Sequence, residues 1–250
     1  MLLPIEKVPA KVGNPRYLVL YGKPKTGKTT IVAAIPNNLI IDLEGGSEFM
    51  DSLAVQARTI QDLSAIAKAI RDKFTETGKF PYEYITIDSA TALEDIAKQY
   101  ALTLYQATPM AKDKITGKIY NDDILKLPQG GGYYYLREAF EKIVSMFRVL
   151  CKNLILICHC KEALINKDGR EMSEMTVDLS GKLARIVAAN SDAIGLVYRV
   201  GKKTFINFNG GSDSIVEARA PHLRGQEILI SEADDENNVT VHWDKLYLPE

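Results

Sequence analysis

Eight consecutive residues constrain this chain more than any others: Gly22-Lys23-Pro24-Lys25-Thr26-Gly27-Lys28-Thr29. They fit the pattern G-x-x-x-x-G-K-[ST], and their surroundings are the ones the pattern requires. The apolar run Tyr17–Tyr21 (YLVLY) leads in as a strand, and Thr29-Thr30-Ile31-Val32 leads out as a helix. Glycines let the backbone wrap an anion, and the N–H groups of Gly22, Lys23, Lys25, Thr26, Gly27, Lys28, Thr29 and Thr30 line such a turn, with Pro24 inside it contributing shape and no donor. Lys28 then reaches outer phosphates, and the Thr29 hydroxyl is placed to ligate Mg²⁺. The alternative, a Gly/Lys-rich surface turn, does not account for the strand before it and the helix after it. The segment implies a nucleotide site, with ATP and Mg²⁺ as its expected occupants.

That loop needs a parallel sheet, and the remaining sequence supplies one. Leu39–Leu43 (LIIDL), Tyr84–Asp88 (YITID) and Leu154–Cys158 (LILIC) are nearly continuous in apolar character. Strands covered on both faces have that texture. Between them, residues 60–74 and 91–104 keep helical spacing, with Thr59/Asp62 and Thr91/Glu94 as capping-box signals, and a third helix is predicted from Tyr134 to about Cys151. The expected fold is α/β, a mostly parallel twisted sheet with helices on both faces. After Ala193, AIGLVYRV, KTFINFN and EILI alternate with turn-like GK, NGGSD and HLRGQ, so C-terminal β-hairpins should extend the same sheet. At about 150 residues per domain, 250 residues suit one large domain over 1–250.

Composition narrows the function classes. Apolar residues make up 46% and charged residues 25%, as in globular proteins. No run approaches the roughly 18 apolar residues of a membrane span, and MLLPIEKVPAK lacks a signal peptide's apolar core. A cytoplasmic setting is therefore expected, with no membrane partner. Lys and Arg number 31 against 32 Asp and Glu, so contact with a polyanion has to come from a local patch. Three cysteines, Cys151, Cys158 and Cys160, cannot all pair and do not suggest a disulfide scaffold.

Two carboxylates stand where phosphate chemistry needs them. Asp88 ends a strand and can hold Mg²⁺ beside the loop, although many such residues only cap the next helix. Glu44 follows LIID and can approach the γ-phosphate from the side; it can also cap the turn before Gly45-Gly46. His159 lies between Cys158 and Cys160, which raises a metal reading, a buried structural reading and a phosphate-sensing reading. Strand alternation turns the cysteines away from His159 and disfavours a shared ion.

The order YGKPKTGKTT, IIDLEGGSEF, YITIDSATAL, LILICHCKEA resembles the RecA-like ATPases, most of all the compact phage-encoded members associated with recombination and single-strand annealing. The resemblance covers about residues 15–230. It implies a catalytic set of Lys28, Glu44 as water-positioning base, Asp88 beside Ser89, and His159 as γ-phosphate sensor. It also implies a basic residue acting on a neighbouring subunit's nucleotide, for which Arg219 stands at the matching place, with Lys203, Lys202 and Arg199 nearby. The implied partners are single-stranded DNA, further copies of the chain in a ring or filament, and a single-strand-binding or replication protein. A hexameric helicase-type replication motor shares this core, and a non-motor ATP-dependent switch or loader is a third reading.

Two segments look like mobile connections. Residues 107–132 carry Lys112, Lys114, Lys118 and Lys126 with Tyr120, a mixture suited to single strands, but Asp113, Asp122 and Asp123 cut the surplus to one, and Tyr133–Tyr135 can equally begin a packed helix. Residues 161–181 hold Lys167 and Arg170, with Lys167-Asp168-Gly169 predicted as a hairpin tip.

Overall fold

A computed structural model describes residues 13–249 apart from 168–169 and 211–213, with no account of the side chains of 165–172. Six parallel strands form its centre: β1 (Tyr17–Gly22), β2 (Asn38–Asp42), β3 (Leu53–Gln56), β4 (Tyr84–Asp88), β5 (Asn153–Lys167) and β7 (Ala193–Val200). The long strand β5 turns back into β6 (Arg170–Val177). Antiparallel strands β8 (Lys203–Asn207), β10 (Glu227–Ala233) and β11 (Val239–Val241) extend the sheet, and β9 (Glu217–Ala218) pairs with the start of β7. The order across the sheet is β11-β10-β8-β7-β1-β5-β4-β2-β3. This is the mostly parallel α/β sheet with C-terminal hairpins that the apolar runs predict.

Alternation along β1 divides the core. Tyr17, Val19 and Tyr21 point into one layer, which α2 (Ile60–Thr77), α3 (Ala90–Gln106), α4 (Gly131–Arg148) and α5 (Leu183–Asn190) cover. Leu18 and Leu20 point into the other, where α1 (Lys28–Ala33) and the C-terminal Trp243, Leu246 and Tyr247 close the face. The Trp243 indole N–H donates to the Ile31 carbonyl at 2.6 Å, tying that C-terminal turn to α1. Among the described residues, helices thus cover both faces, four on one and a single short one on the other. No helix among the described residues is long and apolar enough to cross a membrane.

Three sequence expectations meet the structure differently. Thr59 and Asp62 do form the capping box of α2, but Thr91 and Glu94 do not start α3. Its N-cap is Ser89, while the Thr91 hydroxyl donates to the Asp178 carbonyl and the buried Glu94 carboxylate accepts from the Ser180 amide. Residues 107–130 are a folded excursion. Lys112 and Ile119 bridge across a turn that Asp113 caps, short 3-10 turns span Ile124–Lys126 and Pro128–Gly130, and Ile124 and Leu127 are buried. Residues 160–177 are a two-stranded ribbon, with Lys167 paired to Arg170; the predicted tip at Asp168-Gly169 lies outside the described residues.

Candidate nucleotide site

Parallel pairing brings four strand ends to one edge. Gly22 of β1 is in register with His159 of β5, and Asp88 of β4 is in register with Asp42 of β2. The loop after β1 therefore faces Asp88, and the loop after β2 delivers Glu44 beside it. Gly22 has to be glycine here, because a Cβ would lie 2.2 Å from the Val197 carbonyl oxygen. Gly27 adopts φ 92°, the left-handed region that favours glycine.

The loop is closed on itself. The Lys28 ammonium donates to the carbonyls of Gly22 at 2.9 Å and Lys23 at 2.8 Å. Burial pulls the Lys28 pKa below that of an ordinary lysine, with the Asp88 charge opposing the shift. The Thr29 hydroxyl donates to the Asp88 carboxylate at 2.6 Å. Burial pushes the Asp88 pKa up; the Thr29 hydrogen bond opposes this, while the Glu44 and Asp42 charges add to it. A buried carboxylate crowded by two others favours an arriving cation. Thr29 and Asp88 offer the oxygen donors a hard cation prefers, and no group of three His, Cys, Asp or Glu placed to hold a metal ion by itself occurs among the described residues. That set fits Mg²⁺ shared with substrate phosphates, the mode in which the ion keeps several waters.

Glu44 is held from two directions. The Ser89 hydroxyl donates to its carboxylate, and His159 Nε2 lies 3.0 and 3.2 Å from its two oxygens. The Asp88–Ser89 peptide is cis. Cys158 and Cys160 pack with the core, opposite to His159, as strand alternation requires, and His159 Nδ1 is buried without a hydrogen-bond partner among the described residues.

Asp42 is the residue that sequence reasoning missed. Its buried carboxylate accepts from the amides of Glu44, Gly45 and Ser47 and from the Ser47 hydroxyl. Burial raises its pKa, but these hydrogen bonds outweigh burial and leave it below the ordinary carboxylate value. Asp42 thereby fixes the turn that presents Glu44. The signal was an Asp followed by Leu-Glu-Gly-Gly-Ser, a side chain that can cap the turn after its own strand.

Other predicted residues are not brought to this edge. Arg219 follows β9, which pairs with the first residues of β7, so it sits at the opposite edge of the sheet. There its guanidinium donates to the Ala189 carbonyl at 2.8 Å and lies 3.5 Å from Asp192. Lys202 and Lys203 stand on the phosphate side, at the β7–β8 turn, paired with Asp235 and Glu232. Lys112, Lys114 and Lys118 are exposed beyond the far end of α3, a helix of 17 residues and about 25 Å that starts at the site. Tyr135 packs on Tyr105 inside the helical layer, so the tyrosine run does begin a packed helix. Lys167 and Arg170 end the ribbon; their side chains are outside the described residues.

A parallel sheet with this loop, a buried Asp on β4, one strand beyond β5, and a carboxylate beside it define a P-loop NTPase. Residues 14–204 match the family described as AAA domain, and the chain belongs to it. It is accordingly a nucleotide-binding protein of the ATPase class. A comparison with curated proteins finds no match.

Proposed function

We propose that this protein is a RecA-like, Mg²⁺-dependent ATPase acting on single-stranded DNA in recombination, repair or annealing, and that β5 links the two activities. One observation carries the reading. His159 touches Glu44, and it is also the last β5 residue paired with β1 before that strand leaves the sheet as the β5–β6 ribbon.

In this mechanism the Lys28 ammonium exchanges the Gly22 and Lys23 carbonyls for the outer phosphates of ATP. Thr29 and Asp88 would hold Mg²⁺, which neutralises phosphate charge when bound. Glu44 orients the attacking water and takes its proton, while Ser89 and His159 fix the angle of its carboxylate. His159 Nε2 holds Glu44 without nucleotide, and an N–H at that position can donate to a terminal phosphate instead. That exchange moves residue 159, and with it the base of the ribbon that starts at Cys160. The ribbon, with Lys167 and Arg170 at its end, is the DNA-facing element in this reading. A basic residue from a second copy completes charge stabilisation, and the β7–β8 turn with Lys202 and Lys203 replaces Arg219 as its source.

The test is binding to single-stranded DNA at low salt with ATP, with a non-hydrolysed analogue and without nucleotide. Binding should require the triphosphate in the parent and lose that requirement in His159→Ala. If no nucleotide state of the parent binds DNA, a partner-binding switch becomes the better account.

A further inference from the structure

The excursion after α3 ends in an outer turn that the nucleotide site does not use. Lys112 and Ile119 bridge antiparallel at its base, and the turn between them is closed from within. The Asp113 amide donates to the Lys118 carbonyl at 2.9 Å, and the Asp113 carboxylate accepts from the Ile115 and Thr116 amides at 3.0 and 2.6 Å. Buried Ala111 anchors the base, its carbonyl accepting from the Tyr120 amide at 2.8 Å. The hairpin is therefore preformed, and a ligand docking on it orders little backbone.

Its outer surface combines apolar area with unspent charge. Met110, Ile115 and Ile119 are 69%, 95% and 59% exposed. Single apolar residues on a surface are ordinary, but a cluster with a polar rim marks a contact surface. The rim is Lys112, Lys114 and Lys118, all exposed and without an ion pair among the described residues. The acidic residues of the excursion are employed elsewhere. Asp113 closes its own turn, Asp122 pairs with Lys126 at 3.0 Å, and Asp123 accepts from the Leu125 amide.

Charge complementarity calls for an acidic partner, and the apolar centre calls for one with apolar side chains of its own. A nucleic acid meets only the first demand, because base stacking needs aromatic faces. Tyr120, the aromatic residue of this hairpin, instead lies edge-on to Tyr105, and its hydroxyl donates to the Asp123 carbonyl at 2.7 Å. We propose that the 110–119 hairpin docks a short acidic segment of another protein, with Met110, Ile115 and Ile119 receiving its apolar anchors and the three lysines its carboxylates. This surface shares no residue with Gly22–Thr29, so the proposal is independent of nucleotide binding.

Fluorescence polarisation of the full chain with the labelled peptide Asp-Glu-Asp-Leu-Phe-Asp-Glu-Leu tests it. The comparison probes are the same peptide with Ser for Leu and Phe, the same peptide with Asn and Gln for its acids, and labelled oligothymidine. The parent should bind the first peptide at least about tenfold more tightly than either altered one, and more weakly as salt rises. Ile115→Ser and Lys114→Glu should each weaken that binding by about tenfold. Both side chains stand in solvent, so the melting temperature should remain that of the parent. No peptide binding by the parent, equal binding of the altered peptides, or parent affinity in either variant overturns the proposal. If no peptide binds and both variants lose oligothymidine, the hairpin is a nucleic-acid contact instead.

Discussion

Asp42, Asp88 and Glu44 are three carboxylates within one cluster, and their environments assign them different work. Asp42 is fully engaged by amides and a hydroxyl, so it is a positioning residue with no capacity left for a ligand. Asp42→Asn should keep ATP affinity and lower turnover at least about tenfold, because an amide cannot accept at both ends and the Glu44 turn loosens. Glu44→Gln should likewise bind ATP while turnover falls at least about 100-fold. Comparing Kd with kcat for both variants separates positioning and chemistry from binding. Asp88 behaves oppositely to Asp42 with pH. Its pKa is raised, so the folded chain holds the proton more tightly than the unfolded one. That stabilising contribution is present below the ordinary carboxylate pKa of about 4 and is lost as pH rises through the raised value. Without nucleotide, Asp88→Asn should therefore melt at a higher temperature than the parent at pH 7. The gain should vanish towards about pH 4, and a gain that grew on acidification would contradict the assignment.

Elements differ in how plainly the sequence announces them. The central strands were legible because both faces are covered, which leaves runs such as Leu18–Tyr21 with no polar interruption. The strand β3 was missed because it is an edge of four residues with Leu53, Ala54 and Gln56 exposed, so no burial pattern marks it. Residues 107–130 read as a loop because local polar caps hold them, with Asp113 and Asp123 accepting from their own turns and only Ala111, Ile124 and Leu127 as buried anchors. The α3 start was misread by two residues. Thr91 and Glu94 have the spacing of a cap, yet they serve the chain after β6, and Ser89 both caps the helix and holds Glu44. Gly132 shows why the excursion is fixed. A Cβ there would lie 1.8 Å from the Ile124 carbonyl oxygen, a backbone atom that cannot swing away. Gly132→Ala should cost about 1–3 kcal/mol in denaturant unfolding, because the Ile124 backbone has to shift. An unchanged midpoint would mean that the excursion does not pack on α4 as described.

Across the whole molecule, the candidate site was legible where a motif dictates backbone shape, and opaque where it depends on which strand ends meet. Lys28, Thr29 and Asp88 could be named because their spacing to strands is local. Arg219 could not be judged until β9 was seen to pair with the start of β7, at the wrong edge for a phosphate contact. The engagement of His159 by Glu44 joins residues 115 apart in the chain and has no local signature. The same long-range contact carries the functional account, since it is where the hydrolytic edge meets the ribbon. Net charge is −1, so any affinity for DNA has to be local and strongly dependent on nucleotide state and salt. The most direct test is steady-state ATP turnover of the parent and His159→Ala, each with and without single-stranded DNA. The expected result is stimulation by DNA in the parent and DNA-independent turnover in the variant, with Lys28→Ala inactive throughout. Equal stimulation of parent and variant, or no response of the parent to DNA at low salt, would contradict the coupling through β5.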